Sequence, residues 1–264
     1  MFLKLVMTIS FYKYQGTGND FIMIDNRNAK FPKDNFKLIS FLCDRRFGIG
    51  ADGLILLEDD KSSHFMMVFY NSDGKPGSMC GNGGRCIVAF AKFLGMIEEK
   101  TKFNAVDGFH HASINDGTIS LQMQDVTEIM EKPNCLFLNT GSPHHVQMVS
   151  DLENYKVLEE GAKLRYGIYG EVGSNINFVE QTGDSDFSVR TYERGVENET
   201  LSCGTGVTAV ALGMHYWDKT KSENINISTK GGNLAVQFNK GRTGYENIRL
   251  DGPAIQVYKG AIEI

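Results

Sequence analysis

Two apolar runs, Phe65 to Tyr70 (FMMVFY) and Phe187 to Tyr192 (FSVRTY), read as strands. After a loop, each leads into a stretch with helical spacing. Ile87, Val88, Phe90, Ala91 and Leu94 recur on one face of the first, and Val207, Val210, Ala211 and Met214 on one face of the second. Each helix opens on a cysteine and a glycine turn, Met79-Cys80-Gly81-Asn82-Gly83-Gly84-Arg85-Cys86 and Ser202-Cys203-Gly204-Thr205-Gly206-Val207-Thr208-Ala209. The strands are offset by 122 residues and the cysteines by 123, so the second loop is one residue longer. Shared spacing over two such units predicts a gene duplication. The expected fold is α+β, with two pseudo-symmetric domains, each a curled mixed β-sheet around a central α-helix. We place the domains at residues 1–125, with 253–264 packing back on them, and 126–252; the junction lies at 125–133.

The rest of the chain alternates short strands with turns. Strands are predicted at 11–14, 21–25, 54–57, 102–106, 109–114, 119–123, 135–139, 146–149 and 175–180, and in the tail at 225–229, 234–238, 248–251 and 255–258. Asp34 is expected to cap a helix reaching about Phe47, with Phe36, Ile39, Leu42 and Cys43 buried, and Asp151 to cap a short one. Gly16-Thr17-Gly18-Asn19-Asp20 reads as a tight turn, and Thr140-Gly141-Ser142-Pro143-His144-His145 as another. The first central helix should stop near Gly95, and His145 should be surface or packing.

Composition narrows the function. A net charge of −5 without a basic stripe counts against nucleic acid as a partner. No apolar run reaches the roughly 18–20 residues needed to cross a bilayer. The first eight residues read as an extension, with Met7 as an alternative start. Five sparse cysteines, Cys43, Cys80, Cys86, Cys135 and Cys203, do not make a secreted disulfide framework, so a reducing cytoplasm is expected.

A cysteine at a helix N-terminus has its thiolate favoured by the helix dipole and free N–H groups. Two such ends facing one cleft would offer two thiols and two sets of donors to one small carboxylate. One thiolate removing an α-proton while the opposite thiol returns one is the layout of a racemase or epimerase that uses no cofactor. Other readings of a lone Cys-Gly-x-Gly are a packed cysteine, a Cys80–Cys203 disulfide, zinc held by Cys80, Cys86, His144 and His145, or a phosphate cradle. The six-residue spacing of Cys80 and Cys86 splits their faces on a helix, and neither turn has the dinucleotide glycine spacing.

The motifs as a set resemble the diaminopimelate epimerase family. They are Gly18-Asn19-Asp20-Phe21, Gly50-Ala51-Asp52-Gly53, Asn71-Ser72-Asp73-Gly74, the first cysteine turn, Gly141-Ser142-Pro143-His144, Asn175-Ile176-Asn177-Phe178, Tyr192-Glu193-Arg194-Gly195, Glu199-Thr200-Leu201 with the second cysteine turn, and Leu250-Asp251-Gly252-Pro253-Ala254. The resemblance runs in order from Phe11 onward. It implies an isomerase independent of pyridoxal phosphate and of metal, interconverting LL- and meso-2,6-diaminopimelate on the route to lysine and peptidoglycan. By that likeness Cys80 and Cys203 are the acid/base pair. Gly81, Asn82, Gly204 and Thr205 present backbone donors to the reacting carboxylate, and Asn19, Asn71, Asn175, Glu193 and Arg194 hold the ammonium groups and the distal carboxylate. His144 and Glu193 match positions that tune the thiols. The expected partners are this small molecule and a second copy of the chain, in a homodimer. Three departures stand out: Ser142 where many relatives have Asn, Gly53 where some have Gln, and a loop at 195–199 one residue longer. The rival readings are another two-cysteine isomerase, of the proline racemase kind, and a binding module without turnover.

Overall fold

In the computed structural model, which describes residues 7–264, the repeat extends far beyond the two cysteine turns. Strand β1 (Thr8–Gly16) pairs antiparallel with β2 (Asn19–Asp25). Helix α1 (Phe36–Cys43) crosses over to β3 (Gly53–Glu58), parallel to β2. Antiparallel β4 (Met66–Asn71) leads into α2 (Gly81–Phe93), and β5 (Lys100–Ala105) returns parallel to β4, with β6 (Gly108–Asn115) folded back on β5. After β7 (Thr118–Gln122) and β8 (Ile129–Lys132) the same order recurs. Antiparallel β9 (Cys135–Asn139) and β10 (Pro143–Met148) are followed by α3 (Val157–Gly167) and a parallel β11 (Asn175–Gln181). Then come antiparallel β12 (Asp186–Glu193), a short β13 (Asn198–Thr200), and α4 (Gly204–Tyr216). Strand β14 (Asn224–Thr229) is parallel to β12, and β15 (Gly232–Lys240) and β16 (Tyr245–Pro253) continue antiparallel. The final strand, β17 (Ile255–Glu263), pairs with β1. The described residues up to Ile119 form one unit with Ala254–Ile264, and Ser120–Pro253 form the other. The fold is α+β with a mixed sheet and an internal repeat.

Local chemistry explains the elements. The β1–β2 hairpin closes through Thr17 and Gly18, both at positive φ (49° and 85°), as a two-residue turn between right-twisted strands requires. Strands β2 and β3 read as unbroken apolar runs because both faces are covered. Ile22, Ile24, Leu54 and Leu56 pack with Ile39, Leu42 and Cys43 of α1. Phe21, Ile55 and Met67 instead close around Gly83 of α2. In the second unit, α4 touches β9, β10, β11, β12, β14, β15 and β16. Seven strands laid flat span about 29 Å, against a helix about 10 Å across, so this sheet must wrap around α4. Its core is Val207, Val210, Leu212 and Met214 against Val146, Val179, Ile225 and Val236.

Several local expectations are corrected. Asn35, not Asp34, caps α1 by accepting from the Leu38 N–H, and the helix ends at Cys43, where Asp44 turns to accept from Arg46 and Phe47. Phe36 is exposed. His144 and His145 lie within β10, not in a turn, since a proline is tolerated as the first residue of a strand. Asp151, at φ 55°, binds Asn154, and α3 starts six residues later behind Lys156. Of the proposed extension, residues 1–6 lie outside the described residues, whereas Met7 and Thr8 already pair with Ile264 and Glu263. Among the described residues no helix is long and apolar enough to cross a membrane.

Candidate active site

Five cysteines separate into two kinds. Cys43, Cys86 and Cys135 are buried, and burial pushes their thiols up, Cys43 to about 12. Cys80 and Cys203 are partly exposed. Both occupy the N-cap of their helix in extended backbone, with φ and ψ of −115° and 125° at Cys80 and −121° and 110° at Cys203. Their carbonyls accept the first helical bonds, from Gly84 and Val207, at 2.7 and 2.9 Å. Gly81, Asn82 and Gly83, and likewise Gly204, Thr205 and Gly206, thus form a first turn whose N–H groups no carbonyl of the helix can reach.

Around Cys80, the side chains are ordered by charge. Asp20 pairs with Lys13 at 2.7 Å and with Arg45 at 2.6 Å, and Arg45 also holds Asp52 at 2.7 Å. Asp52 accepts from Asn19 Nδ2 at 2.7 Å. A carboxylate there accepts only, so Asn19 turns its Oδ1 the other way. That oxygen receives the Cys80 thiol at 3.6 Å and Asn82 Nδ2 at 3.4 Å. The Asn82 Oδ1 in turn accepts from Arg85, a fully buried guanidinium that also donates to Thr17 Oγ1 and to the Gly81 carbonyl.

Burial by itself raises the Asp20 carboxyl, but the hydrogen bonds and charges of Arg45 and Lys13 outweigh it and hold the group well below the usual range. A carboxyl depressed on folding stabilises the protein fully above its unfolded pKa of about 3.9, and the contribution fades as pH falls toward the folded value. Urea midpoints followed downward through that range should drop more steeply for the wild type than for Asp20→Asn. Parallel curves would remove Asp20 from the acid response.

Around Cys203, Thr205 Oγ1 lies 3.4 Å from the thiol, and the Thr205 carbonyl accepts from Thr140 Oγ1 at 2.8 Å. His144 is completely buried, and burial, reinforced by the Arg194 charge, lowers its pKa to about 3. A β-carbon at Gly206 would sit 3.4 Å from both Cys203 Cβ and His144 Cε1, and only 2.5 Å from Asn177 Oδ1. Asn175 donates to Ser142 Oγ at 3.0 Å and to the Pro143 carbonyl, and its Oδ1 accepts from the Arg194 N–H at 2.9 Å. The Arg194 guanidinium donates to the Val172 carbonyl at 3.0 Å and approaches Ser142 Oγ at 3.5 Å. Glu193 ends β12 opposite Asn198. The longer loop after it is tied down by Glu197, which pairs with Arg165 at 3.1 Å and accepts from the Gly195 N–H.

The family model for diaminopimelate epimerase matches twice, over residues 11–129 and 136–254. The chain belongs to the diaminopimelate epimerase family. It is therefore an isomerase. A diaminopimelate epimerase of Flavobacterium psychrophilum is 62% identical over 253 residues, covering 95% of this chain and 99% of that one. One of Chlorobaculum tepidum is 40% identical, covering 94% and 99%. Among solved structures, the fold is shared with a Bacillus anthracis phenazine biosynthesis protein of the PhzF family (TM-score 0.75, 12% identity, 98% and 99% covered). It is also shared with an Agrobacterium vitis hydroxyproline epimerase (TM-score 0.70, 14% identity, 97% and 91% covered).

Asn19, Asn82 and Cys80 are in contact, as are Asn175 and Arg194, and His144 borders the turn of Cys203. Asn71 is exposed at the end of β4, where its backbone closes the turn through Lys75 and Gly74. Gly53 pairs with Asn71, and a β-carbon there would lie 2.4 Å from the Phe69 ring. That ring fills the space a longer side chain at position 53 would need. Sequence reasoning missed Asp52 and Asn177, the residues that orient Asn19 and His144. Only their places inside the motifs Gly50-Ala51-Asp52-Gly53 and Asn175-Ile176-Asn177-Phe178 hinted at a role.

Proposed function

We propose that this epimerase interconverts LL- and meso-2,6-diaminopimelate with Cys80 and Cys203 as its acid/base pair. The observation that carries the reading is the matched pair of part-exposed cysteines at the N-caps of equivalent helices, while the other three cysteines are buried. The Cys203 thiolate takes the α-proton from one face of the substrate, leaving an electron pair delocalised into the adjacent carboxylate. Backbone N–H groups of Gly81, Asn82, Gly204 and Thr205 stabilise the developing charge. The Cys80 thiol then delivers its proton to the opposite face and becomes the thiolate from which the reverse reaction starts. Asn19 supports this assignment, because its carbonyl oxygen accepts from the Cys80 thiol and so favours the protonated form. Asn19, Asn71, Asn175 and Glu193 receive the ammonium groups, and Arg194 grips the distal carboxylate through two parallel N–H bonds. His144 and Glu193 tune the thiols.

We also place the enzyme in a reducing cytoplasm, where free cysteines persist. A homodimer would cover Ile255, Val257 and Tyr258, which β17 leaves exposed. The deciding experiment is proton NMR of LL-diaminopimelate in D2O with reduced protein. Loss of the α-proton signal with growth of the meso form is expected. No exchange from protein with all thiols reduced would reject the reading, and exchange of proline-type substrates alone would move it to the proline racemase kind.

A further inference from the structure

Asn177 sits in the middle of β11, completely buried, and its amide has one way to lie. Its Nδ2 is 2.8 Å from the His145 carbonyl oxygen, and its Oδ1 accepts from the Thr191 hydroxyl at 3.0 Å. A carbonyl only accepts, so the group facing His145 is the NH2. The second hydrogen of that NH2 is directed at His144 Nδ1, 3.2 Å away. This nitrogen must therefore offer its lone pair. Buried beside the Arg194 charge, the His144 ring is neutral, and its single proton resides on Nε2. Nε2 is buried and has no hydrogen-bond partner among the described residues. A buried donor left in this way is costly and needs a reason. The neighbouring Cε1 and the Cys203 Cβ both abut the same face of Gly206.

We propose that Asn177 is a positioning residue that locks His144 as the neutral Nε2–H tautomer, so that His144 serves Cys203 as a hydrogen-bond donor to the thiolate and not as its base. The base role is closed to Nδ1, which is occupied by Asn177, and to Nε2, which already carries the proton. The catalytic consequence rests on the two-cysteine reading, whereas the tautomer does not.

The test is long-range proton–nitrogen NMR on protein labelled with [15N]histidine, the His144 signals being assigned by their loss in His144→Gln. The wild type is expected to show an unprotonated Nδ1 and a protonated Nε2, unchanged from about pH 6 to 8. In Asn177→Asp a carboxylate faces Nδ1, so the proton should move to Nδ1 or the ring should become doubly protonated. With that change kcat should fall at least about tenfold, the scale of losing one hydrogen bond to a charged group. A wild-type His144 protonated on Nδ1, or doubly, overturns the proposal, and this spectrum decides alone if Asn177→Asp does not fold. A reversed tautomer with unchanged kcat removes the donor role, and an unaltered tautomer in Asn177→Asp removes Asn177 as its cause. Should the wild type fail to exchange the α-proton of diaminopimelate, the reading of the reaction fails while the tautomer result stands by itself.

Discussion

Alanine at Cys80 or at Cys203 is expected to abolish conversion of LL- into meso-diaminopimelate, lowering kcat by at least about 10³-fold, the scale of a lost general acid or base. The two losses should differ in kind. Without Cys203 the protein lacks the group assigned to remove a proton from the LL form, so solvent exchange at that carbon stops. Without Cys80 the proton still leaves but cannot be replaced from the other face, so slow exchange with retention is expected. Proton NMR in D2O reads both outcomes on one sample, with reductant present. Thermal midpoints should stay near the wild-type value, because both thiols are partly exposed and neither side chain makes a capping hydrogen bond to its own helix. Normal turnover in either variant would defeat the two-base mechanism.

Gly206→Ala carries the second large effect, although the change is one methyl group. The new carbon would lie 2.5 Å from Asn177 Oδ1, well inside contact distance. Asn177 cannot step aside without releasing the His145 carbonyl, the Thr191 hydroxyl and His144. Overpacking of this sort costs about 1–3 kcal/mol, and a buried amide left with broken bonds adds about 1–3 kcal/mol more. A lower urea midpoint is expected together with at least a tenfold loss of kcat. Gly213→Ala, on the same helix, is the control. Its nearest neighbour would be a flexible leucine methyl, Leu136 Cδ1, at 3.1 Å, so activity should survive. If Gly206→Ala matched wild type in both readouts, the packing of Asn177 against α4 would not matter.

Much of the fold was legible because the chain states it twice. The paired cysteine turns gave α2 and α4 their starts, and alternating apolar residues gave most strands. What escaped did so for identifiable reasons. The short helix expected behind Asp151 is α3, but its true start at Val157 was not readable, because its buried positions are Val157, Gly161 and Arg165, a stripe with a glycine at its centre and a charge at its end. Gly161 looks like a helix breaker, yet a β-carbon there would lie 2.5 Å from Tyr192 Cβ, so the glycine is what lets α3 lie against β12. Strand β13 is too short to show alternation. In β11, Asn175 and Asn177 alternate with Ile176 and Phe178, a pattern that suggests a solvated face. Both asparagines are buried because neighbouring strands satisfy their amides, and composition carries no record of such partners. Asn19, Asn82 and Asn175 were marked through their motifs, whereas Asn177, the amide facing His144, was not.

The pairing of β17 with β1 also bears on how the molecule is made. Strand β1 has β2 on one side as soon as the hairpin emerges from the ribosome, but its other edge waits for a strand synthesised after the whole of the Ser120–Pro253 unit. Until then that edge is an open row of N–H and C=O groups. The later-synthesised unit has no such debt to downstream sequence, since its strands from β8 to β16 are contiguous in the chain. During synthesis the second unit is therefore first to complete its ladder, and the first remains open to a foreign strand until the last residues of β17 arrive.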